Sequence, residues 1–323
     1  GTGAVKITPA HDFNDYDVGQ RNKLKTINIF TDEGKINDNC PEKYQGLDRF
    51  EARKSILEEL SKLGLLIKEE KQEMVIPYGD RSGVVIEPWL TDQWFCNAKK
   101  LAIDPIKSVK ENKTTFVPKN WENTFFNWME NIQPWCISRQ LWWGHQIPAY
   151  YLPSGEFVVA ETKEKALIKA KKINDNIKMD ELIQDEDVLD TWFSSWLWPI
   201  SVFDGINNPK NKEINYYYPT TDLVTAPEII FFWVARMIIS GYEYRNEMPF
   251  KNVYFTGIVR DKKRRKMSKS LGNSPDPIKL MKKYGADGVR AGMLFSAPAG
   301  NDLLFDEKLC EQGRNFSNKL WNA

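Results

Sequence analysis

The sequence predicts an α/β fold: half of a parallel sheet with helices packed on it, an α+β segment ahead and the start of a helical region behind. Three observations predict it. Between residues 135 and 260, strand-like pieces alternate with helical ones, as in half of a parallel sheet. Residues 1–75 mix strand, turn and helix patterns, and beyond a basic loop near residue 265 only helical patterns follow.

Taken in order, residues 4–8 have a strand pattern and residues 11–17 read as a polar turn. A helix is expected over residues 49–63, with Asp48 placed to cap its first turn and Gly64 to end its last. From Val75 to about Pro134, short apolar runs alternate with Gly and Pro, as in strands that connect two domains, so the domain boundary is expected there. Strands are expected over residues 146–152 and 253–259, and a lysine-rich helical insertion over residues 163–178. Thr225-Ala-Pro-Glu228 has capping-box spacing with Pro227 in the first turn, and the apolar body behind it should pack under the sheet. Ser274-Pro-Asp-Pro277 opens a short helix that Gly285 ends, and two helical stretches follow.

The chain has 323 residues, 41% of them apolar and 13% aromatic, enough for two domains with real cores. Its formal net charge is +1, so a nucleic acid would have to be held by local basic patches, not by a global field. The longest apolar run, residues 229–239, is interrupted by Arg236 and is well short of the ~20 residues of a membrane span. Cys40, Cys96, Cys136 and Cys310 form no C-x-x-C pair, which argues against a disulfide framework and a zinc knuckle and fits a reducing cytoplasm. The first residues read as a turn running into a strand and the last as an uncapped helix, so both ends look like cuts.

Four motifs stand out. The first is Lys266-Met-Ser-Lys-Ser270-Leu-Gly-Asn273, preceded by Arg260-Asp-Lys-Lys-Arg-Arg-Lys266, between a strand and a helix. Two lysines and two hydroxyls on such a loop can close over a triphosphate and neutralise charge on departing pyrophosphate. A solvated basic loop or a localisation signal is the plainer alternative. The second is Asp187-Val-Leu-Asp-Thr-Trp-Phe-Ser-Ser195, with Trp196 and Trp198 after it, together with Phe231-Phe-Trp-Val-Ala-Arg-Met237; its tryptophans are otherwise ordinary core residues. The third is Trp135-Cys-Ile-Ser-Arg-Gln-Leu-Trp-Trp-Gly-His145-Gln-Ile-Pro148. The fourth is Gly3-Ala-Val-Lys6-Ile-Thr8-Pro-Ala-His11-Asp12-Phe-Asn-Asp15-Tyr16. Its His-Asp-x-x-Asp is similar to a metal cluster, but no further His or Cys lies nearby, and an Asx-rich turn is the structural alternative.

In this order the motifs resemble the valyl branch of the class I aminoacyl-tRNA synthetases. The resemblance runs to Gln312-Gly-Arg-Asn-Phe-Ser-Asn-Lys-Leu-Trp-Asn322, which is similar to the opening of that family's anticodon-binding helical domain. It implies the second half of a Rossmann-type catalytic domain carrying the KMSKS loop, part of a β-rich α+β editing domain, and the start of a helical domain. The implied divisions are residues 1–75 for the end of the editing domain, 76–134 for connecting strands, 135–262 for the catalytic half-domain with a helical insertion at 153–185, 263–300 for the KMSKS and stem-contact region, and 301–323 for the helical domain.

The resemblance also implies residue roles. Lys266, Ser268, Lys269 and Ser270 would act in catalysis, and Lys266, Met267, Lys269 and His145 would bind ATP. Trp192 and Trp233 would wall a pocket for valine, since rigid indoles exclude larger side chains by overlap and reward a small branched one by burial. Arg139 and His145 either reach ATP or the tRNA 3′ end, or only hold their strand. Asp12 and Asp15 would receive the ammonium of a wrongly attached amino acid, with Lys6 and Thr8 near its hydroxyl and the terminal ribose. Such editing is expected because an apolar pocket rejects threonine, an isostere of valine, only weakly.

The implied activity is an ATP-dependent valine-tRNA ligase, a cytoplasmic monomer whose partners are tRNA(Val), valine and ATP, with Mg2+ accompanying the triphosphate. No zinc is expected, because the regions 78–83 and 150–185, where the group often carries cysteine pairs, have no cysteine. One departure matters: the only histidines are His11 and His145, neither in a His-x-Gly-His context, so the family's HIGH motif is missing and adenylation by this chain alone is not expected. The alternatives are a fragment of the isoleucyl sibling, or a tRNA-binding or trans-editing module without ligase activity.

Overall fold

A computed structural model describes residues 3–71, 73–80, 82–297 and 301–323. Gly1 and Thr2, in the expected opening turn, and residues 298–300, at the expected end of the KMSKS region, lie outside the described residues. The chain divides between Asp92 and Gln93 into two compact units.

In the first unit two helices are set by their caps. Asp12, in extended backbone, accepts from the Asp15 amide at 2.9 Å and starts the helix Phe13–Asn22. The expected polar turn over residues 11–17 is therefore the first turns of a helix. Residues 4–8 form no strand, because the Thr8 amide goes to the Asp15 carboxylate and not to a neighbouring chain. The helix Arg49–Lys62 starts on Asp48, which accepts from Phe50, and ends where Gly64, at φ +66°, lets the Leu65 amide reach back to Leu60.

The second unit is built on a three-stranded parallel sheet of Thr115–Val117, Phe250–Phe255 and Thr220–Thr225, in that spatial order. The first strand falls in the stretch expected to hold connecting strands, so the sheet recruits residues well before 135. One row ties all three strands: Thr115 donates to the Asn252 side chain at 2.7 Å, which donates to Asp222 at 2.9 Å. Phe116, Val253 and Phe255 pack against Phe125, Met237 and Ile238 from the helices Trp121–Glu130 and Ala235–Arg245.

Two expectations here are corrected. The 153–185 insertion is not mainly helical: Ala149–Tyr151 pairs antiparallel with Phe157–Val159 and Ile183–Gln184, and the helix Lys163–Ala170 covers this small sheet with a core of its own. The expected strand over residues 146–152 thus belongs to that sheet. The capping box at 225–228 does not form, since Thr225 closes a sheet strand and its carbonyl accepts from Thr256. The chain instead enters the buried helix through a 3-10 turn, Pro227–Ile229, and a π turn, Ile230–Val234.

After the central strand come the short parallel pair Val259–Arg260 and Leu303–Leu304, and the helices Pro277–Tyr284, Ala286–Phe295 and Glu307–Trp321. The last two cross on glycine. A Cβ on Gly313 would lie 2.2 Å from the Gly288 carbonyl oxygen, and one on Gly292 would lie 2.3 Å from that of Leu309.

Candidate functional site

In an open parallel sheet, ligands bind beyond the carboxyl ends of the strands. Two of the predicted groups are delivered there, by the chain leaving Phe255 and by the turns that follow Thr225.

The lysine loop leaves the sheet through Val259–Arg260 and folds into a tight turn with Arg264 at φ +64°. Asp261 organises it. One carboxylate oxygen accepts from the amides of Lys263 and Arg265, both at 2.9 Å; the other accepts from the Arg265 guanidinium and, at 3.0 Å, from the Asn273 amide. The Asn273 contact, followed by those of Arg265, holds the Asp261 carboxyl far below the usual carboxylate range. Asn273 reaches back into the motif as well, accepting from the Ser268 amide at 2.9 Å and donating to the Lys266 carbonyl at 3.3 Å. The Ser268 and Ser270 hydroxyls meet at 3.1 Å, and Ser268 also accepts from the Leu271 amide.

Both hydroxyls are thereby tied to one another within the loop, with one of the two O–H protons left free to donate. The cations divide differently: Arg260, Lys262 and Arg265 pair with Asp302, Asp306 and Asp261. Among the described residues, the exposed side chains of Lys263, Arg264, Lys266 and Lys269 have no ion-pair or hydrogen-bond partner. Unpaired cations on this turn can meet an anion without first breaking an internal bond.

Trp192 and Trp233 line one cavity of ≈ 500 Å³, together with Trp198, Ile229 and three serines, Ser194, Ser195 and Ser201. Trp192 stands at the start of the short helix Thr191–Ser195, capped by Asp190, whose oxygen accepts from the Trp192 amide at 2.9 Å. Trp233 sits in the π turn and donates from its indole to the Ser195 carbonyl at 3.1 Å. Phe232 stacks on Trp192, with ring centres 5.8 Å apart. The mostly apolar walls suit a small aliphatic group.

The second Asp190 oxygen faces away from this helix. It accepts from the Trp135 indole at 3.0 Å and from Arg139 at 2.6 Å, with the Arg236 guanidinium at 3.8 Å. Arg139 also donates to the carbonyls of Cys136 and Ser138, bonds that hold its own strand. His145 lies on a separate exposed loop. Its carbonyl accepts from Leu189, and its ring makes no hydrogen bond to the lysine loop among the described residues.

In the first unit, Lys6, Thr8 and Asp15 come together. Asp15 accepts from the Thr8 amide at 2.8 Å and its hydroxyl at 3.0 Å, and Lys6 approaches both residues. The Thr8 amide is the main reason that the Asp15 carboxyl is held below its ordinary value. Asp12 spends one oxygen on the helix cap and is otherwise exposed. His11 is a clamp: one ring nitrogen contacts the Pro88 carbonyl and the other accepts from the Ile29 amide, both at 3.0 Å. With both nitrogens engaged, it has no lone pair to offer a metal.

Asp190, Arg236, Asp261 and Asn273 lie inside the quoted motifs, but the sequence assigns them no role. Asp190 and Asp261 carry a usable local signal, an acidic residue just before a helix or turn. The partners that make them hubs are remote in sequence and carry none.

A family model described as tRNA synthetases class I (I, L, M and V) matches residues 12–306. A valine–tRNA ligase of Bacteroides fragilis is 62% identical over 100% of this chain, which covers 37% of that protein. One of Parabacteroides distasonis is likewise 62% identical, with the same coverage of 100% and 37%. Among solved structures, the fold is shared with a Mycobacterium tuberculosis methionyl-tRNA synthetase in complex with methionyl-adenylate. The TM-score is 0.54 at 19% identity, over 76% of this chain and 42% of that one. This chain thus spans little more than a third of the length of the curated relatives it matches.

Proposed function

This chain belongs to the class I tRNA synthetases of the I, L, M and V group, and on that basis we propose that it carries the triphosphate loop, the amino-acid pocket and part of the editing site of a valine-tRNA ligase. The observation that carries the valine reading is the convergence of Trp192 and Trp233 on one mostly apolar cavity of ≈ 500 Å³. The similarity to valine–tRNA ligases, and the methionyl-adenylate held by the methionyl-tRNA synthetase of like fold, support the same reaction class.

In the proposed reaction the valine carboxylate attacks the α-phosphorus of ATP, giving valyl-adenylate and pyrophosphate. The tRNA 3′-terminal ribose then takes the acyl group and releases AMP. Lys266 and Lys269 neutralise charge building on pyrophosphate, which makes catalysis mainly orientation and electrostatics. Magnesium would arrive with the triphosphate. Among the described residues no group of three or more His, Cys, Asp or Glu is placed to hold a metal, so no step is assigned to a protein-bound ion. Asp12 and its neighbours serve hydrolysis of threonyl-tRNA, which the shape of the pocket admits. Among the described residues no helix is long and apolar enough to cross a membrane.

The test is amino-acid-dependent exchange of pyrophosphate into ATP by the full-length protein, with valine, isoleucine, leucine and threonine, and Lys269→Ala as control. Strongest exchange with valine, weaker with threonine and lost in the variant is expected. Dominance of isoleucine would move the chain to the sibling enzyme, and absence of exchange with saturable tRNA binding would leave only a binding module.

A further inference from the structure

Four of the seven lining residues belong to two segments, the helix Thr191–Ser195 and the turn and helix running from Ile230 to Arg245, while Trp198, Ser201 and Ile229 complete the wall from the chain beside them. These segments are pinned together at both ends of the shorter one. At its carboxyl end the Trp233 indole bonds the Ser195 carbonyl. At its amino end Asp190 caps the helix with one oxygen and turns the other toward Arg236.

Arg236 is an unusual pin. It is 9% exposed, its guanidinium lies 3.6 Å from the centre of the Trp135 ring, and among the described residues neither its Nε nor its Nη1 has a hydrogen-bond partner. Burial pulls its pKa down to about 10, partly offset by Asp190, and it is still charged at neutral pH. A buried cation without hydrogen bonds persists only beside an opposite charge, and Asp190, itself 5% exposed, is the carboxylate in reach. The pair is further confined by Arg139 and by the Trp135 indole, both bonded to the same Asp190 oxygen.

We infer that Asp190 is a positioning residue that sets the separation of the Trp192 and Trp233 walls through Arg236, and so sets the size of amino-acid side chain admitted. The inference rests on the proposed reading of the cavity as the amino-acid pocket. It predicts that the selectivity of activation is controlled by an ion pair that touches no substrate. Loosening the pair lets the two segments part, which admits a larger side chain and holds the smaller one less well.

The experiment uses the full-length ligase. Asp190→Asn keeps an oxygen for the Trp192 amide, since Asn caps about as well as Asp, and removes the charge that holds Arg236. Arg236→Met removes the cation and leaves Asp190 its bonds to Trp135, Arg139 and the helix. Pyrophosphate exchange is followed with valine and with isoleucine, and thermal unfolding establishes that each variant is folded.

In both variants KM for valine is expected to rise about tenfold, and the valine-over-isoleucine ratio of kcat/KM to fall by about the same factor, the scale of one methylene in an apolar pocket. KM for ATP should stay put. A folded variant that loses kcat equally for both amino acids, at unchanged KM and ratio, assigns Asp190 a merely structural role and overturns the inference. Should Asp190→Asn not fold, Arg236→Met decides alone. Trp233→Ala separates the two levels: an unchanged KM for valine there removes the pocket reading itself, whereas a raised one alongside unmoved Asp190 and Arg236 variants removes only this inference.

Discussion

Asn273 and Asp261 are joined by a 3.0 Å hydrogen bond that closes the turn between them, and each also binds the backbone of the motif it encloses. The loop that presents Lys266 and Lys269 is held in shape by these two residues, neither of which is one of the lysines or serines that the motif is known by. Asn273→Ala removes three hydrogen bonds, each worth about 0.5–1.5 kcal/mol. Pyrophosphate exchange is expected to fall by roughly tenfold or more, with faster proteolytic nicking after Lys266 or Lys269. Exchange at the parent rate would separate the loop's order from its function.

The same contact fixes a pH response. Folding depresses the Asp261 pKa, so its contribution is fully present above the ordinary carboxylate value and is lost only as pH falls through the folded-state value. The turn should therefore stay closed at pH 4, where an unperturbed aspartate is already half protonated. Carbon-detected titration of the Asp261 carboxyl should show this directly, and in Asn273→Ala the midpoint should move upward. A midpoint at the ordinary value in the parent chain would contradict it.

Ser108, in the helix Ile103–Lys110, is 1% exposed, and its hydroxyl has no hydrogen-bond partner among the described residues. Ser108→Ala removes a buried unsatisfied group and improves helix propensity, and is expected to stabilise the chain by about 1 kcal/mol. Urea denaturation measures it, and a loss of stability would reveal a partner such as a buried water.

The glycine crossing gives a graded series. Gly313→Ala and Gly292→Ala drive a methyl into carbonyl oxygens and should cost about 2–3 kcal/mol. Gly288→Ala, whose new atom would come within 3.0–3.1 Å of the Cβ, Cα and N of Arg314, should cost less, because those approaches are longer than the 2.2 and 2.3 Å of the other two. Thermal unfolding of the three variants ranks them.

In the first unit, Asp12→Asn retains the helix cap and removes the charge. If that charge receives the ammonium of a misattached threonine, hydrolysis of threonyl-tRNA should fall about 10- to 100-fold, the worth of one charge-assisted hydrogen bond. Circular dichroism should be unchanged. Asp15→Asn is a poorer test, since Asp15 also holds Thr8 in place.

What the sequence revealed follows the range of the forces involved. The helix Arg49–Lys62 was legible because Asp48 and Gly64 act within a few residues. The small sheet around Ala149–Tyr151 was not, because its pairing with Ile183–Gln184 is settled by chain far away. Thr225 looked like a cap for want of the information that its carbonyl belongs to the sheet. The site shows the same division: Lys266, Lys269, Trp192 and Trp233 lie in contiguous motifs, whereas the Asp190–Arg236 pair joins two of them.

The π turn at Ile230–Val234 makes this segment sensitive to length in a way that composition does not reveal. A π turn holds one residue more than the α-helix would use, so the chain before it and the chain after it run out of phase. Trp233 lies within the turn and faces a cavity, while Arg236, three residues on, meets a buried carboxylate. Deleting a single residue here would restore regular winding and swing one of them off its mark, whichever residue was removed. Across related chains this stretch should therefore tolerate exchanges of one apolar side chain for another while refusing insertions and deletions.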